Sequence, residues 1–97
     1  MKITITEKNE SVLKISLEGR LDTITAPELE KVLDKELGGM RRLELDMANL
    51  EYISSAGLRV ILGAQQELED GVTVRHANDY IRETFEMTGF SDFLSIE

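Results

Sequence analysis

The most informative stretch of the sequence is DMANLEYISSAGLRV, which covers residues 46–60. It leads from the end of an alternating apolar segment, through a connection, to the start of a segment with helical periodicity. Ser54 and Ser55 stand at this last junction, and either residue is suited to cap the helix. A hydroxyl there faces the unpaired N–H groups and partial positive charge of a helix N-terminus, where an added phosphate is also favoured. The residues alone therefore allow two interpretations, a simple helix cap and a site of reversible phosphorylation.

A helix is predicted after the two serines, from Ala56 to about Glu69, with Gly71 as its terminator. Ala56 and Gly57 are small, so they leave the neighbouring hydroxyls open to a docking enzyme. Gly57 is equally suited to close packing of the helix. The apolar residues that repeat at helical spacing are Leu58, Val60, Ile61, Leu62, Ala64 and Leu68.

A short strand is predicted before the serines, from Arg41 to Asp46, because Leu43 and Leu45 alternate with charged residues. The strand is expected to end at Asp46, and residues 49–53 are expected to form a connection. Open α/β sheets often carry sites at the carboxyl ends of their strands. Asp46 is therefore either a turn residue or a residue that positions the connection after it.

The N-terminus shows the pattern of a β-hairpin. Ile3 and Ile5 alternate with polar residues, and a polar turn follows at residues 7–10. Gly19 then breaks the pattern and is expected to end the second strand. The apolar residues of that second strand are Val12, Leu13, Ile15 and Leu17.

A first helix is predicted to begin at Thr25. Thr25 and Glu28 have the spacing of a capping box, and Pro27 suits a first helical turn. The pair Gly38-Gly39 provides the exit that a helix C-terminus favours. The apolar stripe of this helix consists of Ala26, Leu29, Val32, Leu33 and Leu37.

The C-terminal part continues the alternation of strands and helices. Residues 72–74 predict a strand, Asn78 and Asp79 cap a third helix, and Gly89 ends it. The sequence therefore predicts an α/β fold with a mixed sheet of about four to five strands and helices packed on it. The apolar pair of the third helix is Ile81 and Phe85, and a terminal strand or an irregular tail contains Phe93, Leu94 and Ile96.

Length and composition exclude several classes of protein. A chain of 97 residues has room for one domain, expected to span residues 1–97. The absence of cysteine removes disulfides and thiolate sites, and with the lack of a signal peptide or apolar membrane segment it favours the cytoplasm. The formal net charge of −8 disfavours nucleic acid and anionic membranes as partners.

No catalytic constellation is present in the sequence. His76 is the single histidine, so there is no histidine pair for a metal site. The two serines lack the Gly-x-Ser-x-Gly elbow of hydrolases, and no glycine-rich phosphate loop occurs. The protein is expected to be no enzyme and to need no metal or cofactor of its own.

Three motifs resemble, in order and spacing, those of the stand-alone STAS domains in the anti-sigma factor antagonist family. The first is Gly19-Arg20-Leu21-Asp22 followed by Thr25-Ala26, and the second is the apolar strand Leu43-Glu44-Leu45-Asp46. The third is YISSAGL at residues 52–58, where the family has an aromatic and an aliphatic residue followed by Asp-Ser-Ser/Ala-Gly-Leu. The resemblance covers nearly the whole chain and implies the STAS fold.

The resemblance also implies roles for single residues. It assigns the phosphate acceptor to Ser55, with Ser54 as the alternative, because Ser54 stands where many family members have Asp. It places Asp22 and Thr25 beside the acceptor on the surface that docks the partner. The full set of residues that the resemblance implies to flank the site or bind the partner is Asp22, Thr25, Asp46, Ser54, Ala56, Gly57 and Leu58.

The function that the resemblance implies is a partner switch in bacterial transcription regulation. The unphosphorylated protein is expected to bind an anti-sigma factor serine/threonine kinase, which releases a sigma factor. Phosphorylation by that kinase, which brings the ATP, reverses the binding, and a serine phosphatase resets the switch. The protein is expected to be a monomer or weak dimer. The alternative is a STAS interaction module without phosphorylation in a lipid-transport or other signalling assembly.

Overall fold

Five strands lie side by side in one mixed sheet, in the order in which they occur in the chain. β1 pairs antiparallel with β2, and every later pair of neighbours is parallel. The computed structural model describes all residues from 1 to 97. The predicted α/β class and the mixed sheet of four to five strands are confirmed. The strands are β1 (Lys2–Lys8), β2 (Val12–Leu21), β3 (Arg42–Ile53), β4 (Val72–Arg75) and β5 (Ser95–Ile96).

Three helices connect the parallel strands: α1 (Ala26–Glu36), α2 (Ser55–Glu67) and α3 (Asp79–Met87). Each connection moves one strand further in the same direction across the sheet. Because such crossovers are right-handed, all three helices lie on the same face. The core lies between this face and the helices, and the opposite face carries no helix. None of the helices is long and apolar enough to cross a bilayer.

The third helix and the C-terminus follow the predicted pattern. The Asn78 side chain accepts a hydrogen bond from the N–H of Ile81 at 2.8 Å, which caps α3. Phe85 is completely buried, and Gly89 follows the helix with a φ of +80°. A 3-10 turn at Phe90–Asp92 then leads into β5, so the terminal strand is the correct one of the two alternatives.

Gly19 does not end the second strand, contrary to the prediction. β2 continues to Leu21, and Gly19 takes a φ of +100° where the register between β2 and β3 shifts. Glycine adopts this backbone conformation without steric cost, so the strand passes through an irregularity instead of stopping. The extension brings the buried side chain of Leu21 to the beginning of α2.

The predicted end of a strand at Asp46 is also wrong. β3 is one strand of 12 residues that includes both the expected short strand and the expected connection. Two register shifts against β2 absorb the residues that interrupt the alternation of side chains. Near the first shift, Oδ1 of Asp46 accepts a hydrogen bond from the N–H of Ala48 at 3.0 Å. The passage from β3 to α2 is therefore a single residue, Ser54.

Candidate functional site

Ser54 joins the end of the sheet to the start of α2. Its N–H donates to the carbonyl oxygen of Leu21 at 2.9 Å, next to the last paired residues of β2 and β3. Its Oγ accepts a hydrogen bond from the N–H of Gly57 at 3.4 Å, which makes Ser54 the N-cap of the helix. Of the two serines suited to this task, Ser54 is the one that performs it.

Ser55 is the first residue of α2 and its side chain is exposed. Its hydroxyl forms no hydrogen bond with another group of the protein, in contrast to that of Ser54. The N–H groups of Ser55 and Ala56 also have no partner within the chain, as is usual in a first helical turn. The exposed hydroxyl thus lies beside free donors and the positive end of the helix dipole. This arrangement suits a residue that accepts a phosphate from another protein.

Gly57 lies in the packed interface between α2 and the sheet. A Cβ at this position would lie 2.6 Å from Cγ of Leu21 and 3.2 Å from Cγ1 of Ile53. Only glycine allows such a close approach. Leu58 is also buried, with 5% of its surface exposed. Gly57 and Leu58, two of the residues predicted to flank the site or bind the partner, are thus buried and support Ser55 from inside the protein.

Asp22 and Thr25 form a hydrogen-bonded loop between β2 and α1. Oγ1 of Thr25 accepts from the N–H of Asp22 and donates to the carbonyl oxygen of Arg20, both at 2.8 Å. Oδ1 of Asp22 accepts from the N–H groups of Ile24 and Thr25, each at 3.0 Å. The predicted capping box is wrong, because the Thr25 side chain makes no hydrogen bond to the helix. It stabilises the loop instead.

The pKa of Asp22 is lower than usual because of these contacts. The N–H of Thr25 makes the largest contribution, and it outweighs the desolvation of the carboxylate, which acts in the opposite direction. The N–H of Ile24, the Thr25 hydroxyl and the nearby charge of Arg20 lower the pKa further. Asp22 therefore carries its negative charge at neutral pH, close to the start of α2.

Ile24 is a candidate site residue that sequence reasoning missed. Its side chain is 82% exposed in the loop between β2 and α1. That loop lies near Ser55, since Thr23 and Ala56 line the same cleft of 240 Å³. The sequence signal that could have identified Ile24 is a large aliphatic residue in a predicted loop, outside any periodic apolar pattern. Ile24 gives the surface around Ser55 an apolar contact point.

Asp46 lies away from this site. It is in register with Ser16 of β2, five residues before Leu21, a separation of roughly 17 Å along a strand. Its Oδ1 contacts Nδ1 of His76 at 3.1 Å. Its pKa is lowered first by the N–H of Ala48 and further by His76, against the effect of desolvation. The expectation that Asp46 flanks the acceptor is therefore wrong, because the strand continues well beyond this residue.

An aromatic stack lies at the carboxyl end of β3. The rings of Tyr52 and Tyr80 are stacked with their centroids 6.0 Å apart, and the guanidinium carbon of Arg20 lies 4.2 Å from the Tyr52 centroid. These contacts attach the start of α3 to the ends of β2 and β3. No group of three or more histidine or carboxylate side chains is arranged to hold a metal ion.

Comparison with known proteins agrees with this architecture. Residues 5–95 match the family described as Mlab, STAS domain. The putative anti-sigma factor antagonist BtrV of Bordetella bronchiseptica is 36% identical over 94 residues, which cover 93% of this chain and 80% of that protein. The anti-sigma-B factor antagonist of Staphylococcus aureus is 28% identical over 95 residues, which cover 94% of this chain and 88% of the relative.

The fold is also that of a solved structure in the same group of proteins. The anti-sigma factor antagonist SpoIIAA in its unphosphorylated form superposes with a TM-score of 0.85 at 16% identity. The superposition covers 99% of this chain and 88% of that one. Taken with the sequence matches over nearly the whole length, this shows that the chain belongs to the STAS domain family of anti-sigma factor antagonists.

Proposed function

We propose that this protein is an anti-sigma factor antagonist whose partner is selected by phosphorylation of Ser55. The unphosphorylated form binds an anti-sigma factor serine/threonine kinase in the bacterial cytoplasm and thereby releases a sigma factor. The kinase then phosphorylates Ser55 and the complex separates, and a serine phosphatase restores the first state. Residues 1–97 act as one domain throughout. The names of the two relatives support the antagonist role.

The observation that carries the proposal is the difference between the two serines. The Ser54 hydroxyl is occupied as a helix cap and half-buried, whereas the Ser55 hydroxyl is exposed and free of hydrogen bonds. A kinase needs to reach the hydroxyl that it modifies and to align it with the γ-phosphate of ATP. Ser55 satisfies this requirement without any change in the fold.

The phosphorylated form is expected to keep its structure. A phosphoserine adds about −1.5 to −2 charges at neutral pH. At the first position of α2 these charges meet the free N–H groups of Ser55 and Ala56 and the positive end of the helix dipole. Arg59 lies one turn further along the helix, is exposed, and forms no ion pair in the unmodified protein. Its guanidinium is available to the phosphate.

The added charge is expected to change the binding of the partner and not the fold. Asp22 already places one negative charge near the start of α2, and the kinase holds the phosphates of its own nucleotide. Like charges that face each other across an interface cost several kcal/mol, and about 1.4 kcal/mol corresponds to a tenfold change in affinity. We therefore expect the phosphorylated protein to bind the ADP-bound kinase at least tenfold more weakly than the unmodified protein.

The test combines mapping of the phosphate with measurement of binding. The protein is incubated with the candidate kinase and ATP, and the modified residue is identified by mass spectrometry. Both forms are then titrated against the ADP-bound kinase in a calorimeter, together with Ser55→Asp, which should show a smaller loss because one carboxylate carries less charge. No phosphate on the protein, or equal affinities of the two forms, would contradict the proposal.

One observation favours a second candidate function, a STAS interaction module that is not phosphorylated. Ser54 occupies the place where the resemblance predicts Asp, so no carboxylate precedes Ser55 to orient its hydroxyl. Genetic context separates the two candidates. A neighbouring gene for an anti-sigma factor kinase or a serine phosphatase supports the switch, whereas neighbouring genes for transporter subunits support the module.

A further inference from the structure

A groove runs between α1 and α2 and begins beside Ser55. It consists of two adjoining clefts of 240 and 150 Å³. At one end it is bounded by Thr23 and Ala56, and at the other by Leu37 and Glu67. The eleven residues of α1, at 1.5 Å each, give it a length of about 16 Å, or three helical turns. The residues that both clefts share are Glu30, Arg59 and Val60.

The rim of this groove is acidic. Glu30 and Asp34 line it from α1 and Glu67 lines it from α2, and all three side chains are exposed. None of them takes part in any of the ion pairs of the protein. Glu30 and Asp34 are four residues apart, a spacing at which like charges destabilise an isolated helix. A single cation, Arg59, faces these three carboxylates, so the rim keeps an excess of negative charge.

The floor of the groove contains a glycine that the protein's own packing does not require. Gly63 lies in the middle of α2 and lines the groove, and a Cβ there would meet no atom within 4 Å. Glycine in the interior of a helix is unfavourable relative to alanine. Gly57 in the same helix is explained by its contact with Leu21, but Gly63 has no such neighbour. An open glycine between apolar residues lets another chain approach the helix closely.

We propose that the groove between α1 and α2 binds an amphipathic helix of a protein partner that carries lysine or arginine along one side. The apolar side of that helix lies on the half-buried Val60 and over the exposed Gly63, where it makes its closest approach, next to the nearly buried Leu33 and Ala64. Its cations reach the carboxylates of Glu30 and Asp34 and relieve their mutual repulsion. Binding of an apolar helix face in a groove is a common mode of recognition, and the charge of the rim specifies a basic partner. The inference does not depend on phosphorylation of Ser55.

The probe is an 18-residue helical peptide of leucine and lysine with amphipathic spacing. It is titrated into the full-length protein labelled with ¹⁵N, and the amide resonances are followed by NMR. We expect shifts centred on Val60, Gly63 and Ala64. A peptide with the same composition in a non-amphipathic order, and one with glutamate in place of lysine, should bind at least tenfold more weakly. Equal binding of the amphipathic lysine peptide and the peptide of the same composition in non-amphipathic order would overturn the proposal. Shifts spread over the whole acidic surface would also overturn it.

Two sets of variants separate the groove from general attraction to an acidic protein. Gly63→Gln leaves the charge unchanged but fills the floor, and should weaken binding of the amphipathic peptide at least tenfold without lowering the melting temperature. Glu30→Gln with Asp34→Asn should weaken it about fivefold. Glu83→Gln with Glu86→Gln on α3 makes the same change in net charge and should have little effect. Unchanged affinity of Gly63→Gln, or equal losses in the two charge variants, would contradict the assignment.

Discussion

Gly57 and Leu21 are in contact where the start of α2 meets the end of β2. A Cβ on Gly57 would lie 2.6 Å from Cγ and 2.9 Å from Cδ2 of Leu21. The hydrogen bond from the Ser54 N–H to the Leu21 carbonyl oxygen holds the same junction from the backbone side. The position of the Ser55 hydroxyl is thus determined by two contacts between segments more than thirty positions apart in the sequence.

The first prediction compares two glycines of α2. Gly57→Ala should lower the free energy of unfolding by about 1–2 kcal/mol, because the clash with Leu21 exceeds the gain in helix propensity. Gly63→Ala is the matched control and should raise it by up to about 1 kcal/mol, since the new methyl group meets no neighbour. Urea unfolding measures both values. Equal effects of the two substitutions would show that the contact with Leu21 is unimportant.

The second prediction concerns the site of modification. Ser55→Ala should abolish phosphorylation by the kinase, whereas Ser54→Ala should retain a clear part of it, because the Ser54 hydroxyl is the helix cap. Labelling with ATP and mass spectrometry of both variants provide the measurement. Full labelling of Ser55→Ala with none on Ser54→Ala would reverse the assignment.

The third prediction separates loss of function from loss of structure. Ser54→Ala removes a cap hydrogen bond and should cost about 1 kcal/mol or less, since the bond of 3.4 Å is long. Ser55→Ala removes an exposed hydroxyl without a partner and should change the stability by less than about 0.5 kcal/mol. Both variants should therefore stay folded at room temperature in circular dichroism. Unfolding of either one would mean that these serines have a structural role that their contacts do not show.

The fourth prediction is that phosphorylation leaves the melting temperature unchanged or raises it slightly. The phosphate meets the free donors at the start of α2 and the guanidinium of Arg59. In Arg59→Gln the rise in melting temperature on phosphorylation should be smaller. The unmodified variant should melt like the parent protein, because Arg59 is exposed and forms no ion pair. The measurement is calorimetric melting of the parent protein and of Arg59→Gln, each with and without the phosphate. A phosphoprotein that melts well below the unmodified protein would contradict the proposed site.

The fifth prediction concerns the dependence of stability on pH through Asp22. Its pKa in the folded protein is lowered, first by the Thr25 N–H. The ionised form therefore stabilises the fold fully above the pKa of an unfolded aspartate, about 3.9, and this contribution is lost as the pH falls through the lower folded pKa. Asp22→Asn retains an acceptor oxygen but not the charge.

The measurement for Asp22 is urea unfolding of both proteins between pH 3 and pH 7. Asp22→Asn should be less stable at neutral pH, and its difference from the parent should shrink as the pH falls below about 4. Glu83→Gln on α3 serves as a control for the loss of an exposed carboxylate. A difference that stays constant over the whole range would show that the charge of Asp22 does not contribute.

Much of the fold could be predicted from periodicity alone. The helical repeat after residue 55, the cap at Asn78 and the hairpin at the N-terminus all reflect local patterns of apolar residues, and the structure confirms them. The strand ends were predicted less well. The alternation is interrupted at Gly19 in β2 and after Met47 in β3, but the two strands pair across both interruptions through shifts in register. Whether a strand ends or continues depends on its pairing with the adjacent strand, and a local sequence pattern carries no information about that strand.

The features of the candidate site also fall into those that the sequence predicted and those that depended on the tertiary structure. The sequence by itself determined that a serine pair stands at the beginning of a helix, because helix periodicity and the small residues around the pair are properties of neighbouring positions. Only the tertiary structure decided that Ser54 is the cap and Ser55 the free hydroxyl, that Gly57 packs inward on Leu21, and that Asp46 lies apart on the sheet. These outcomes depend on contacts between segments that are distant in sequence, and the packing of the whole chain sets such contacts.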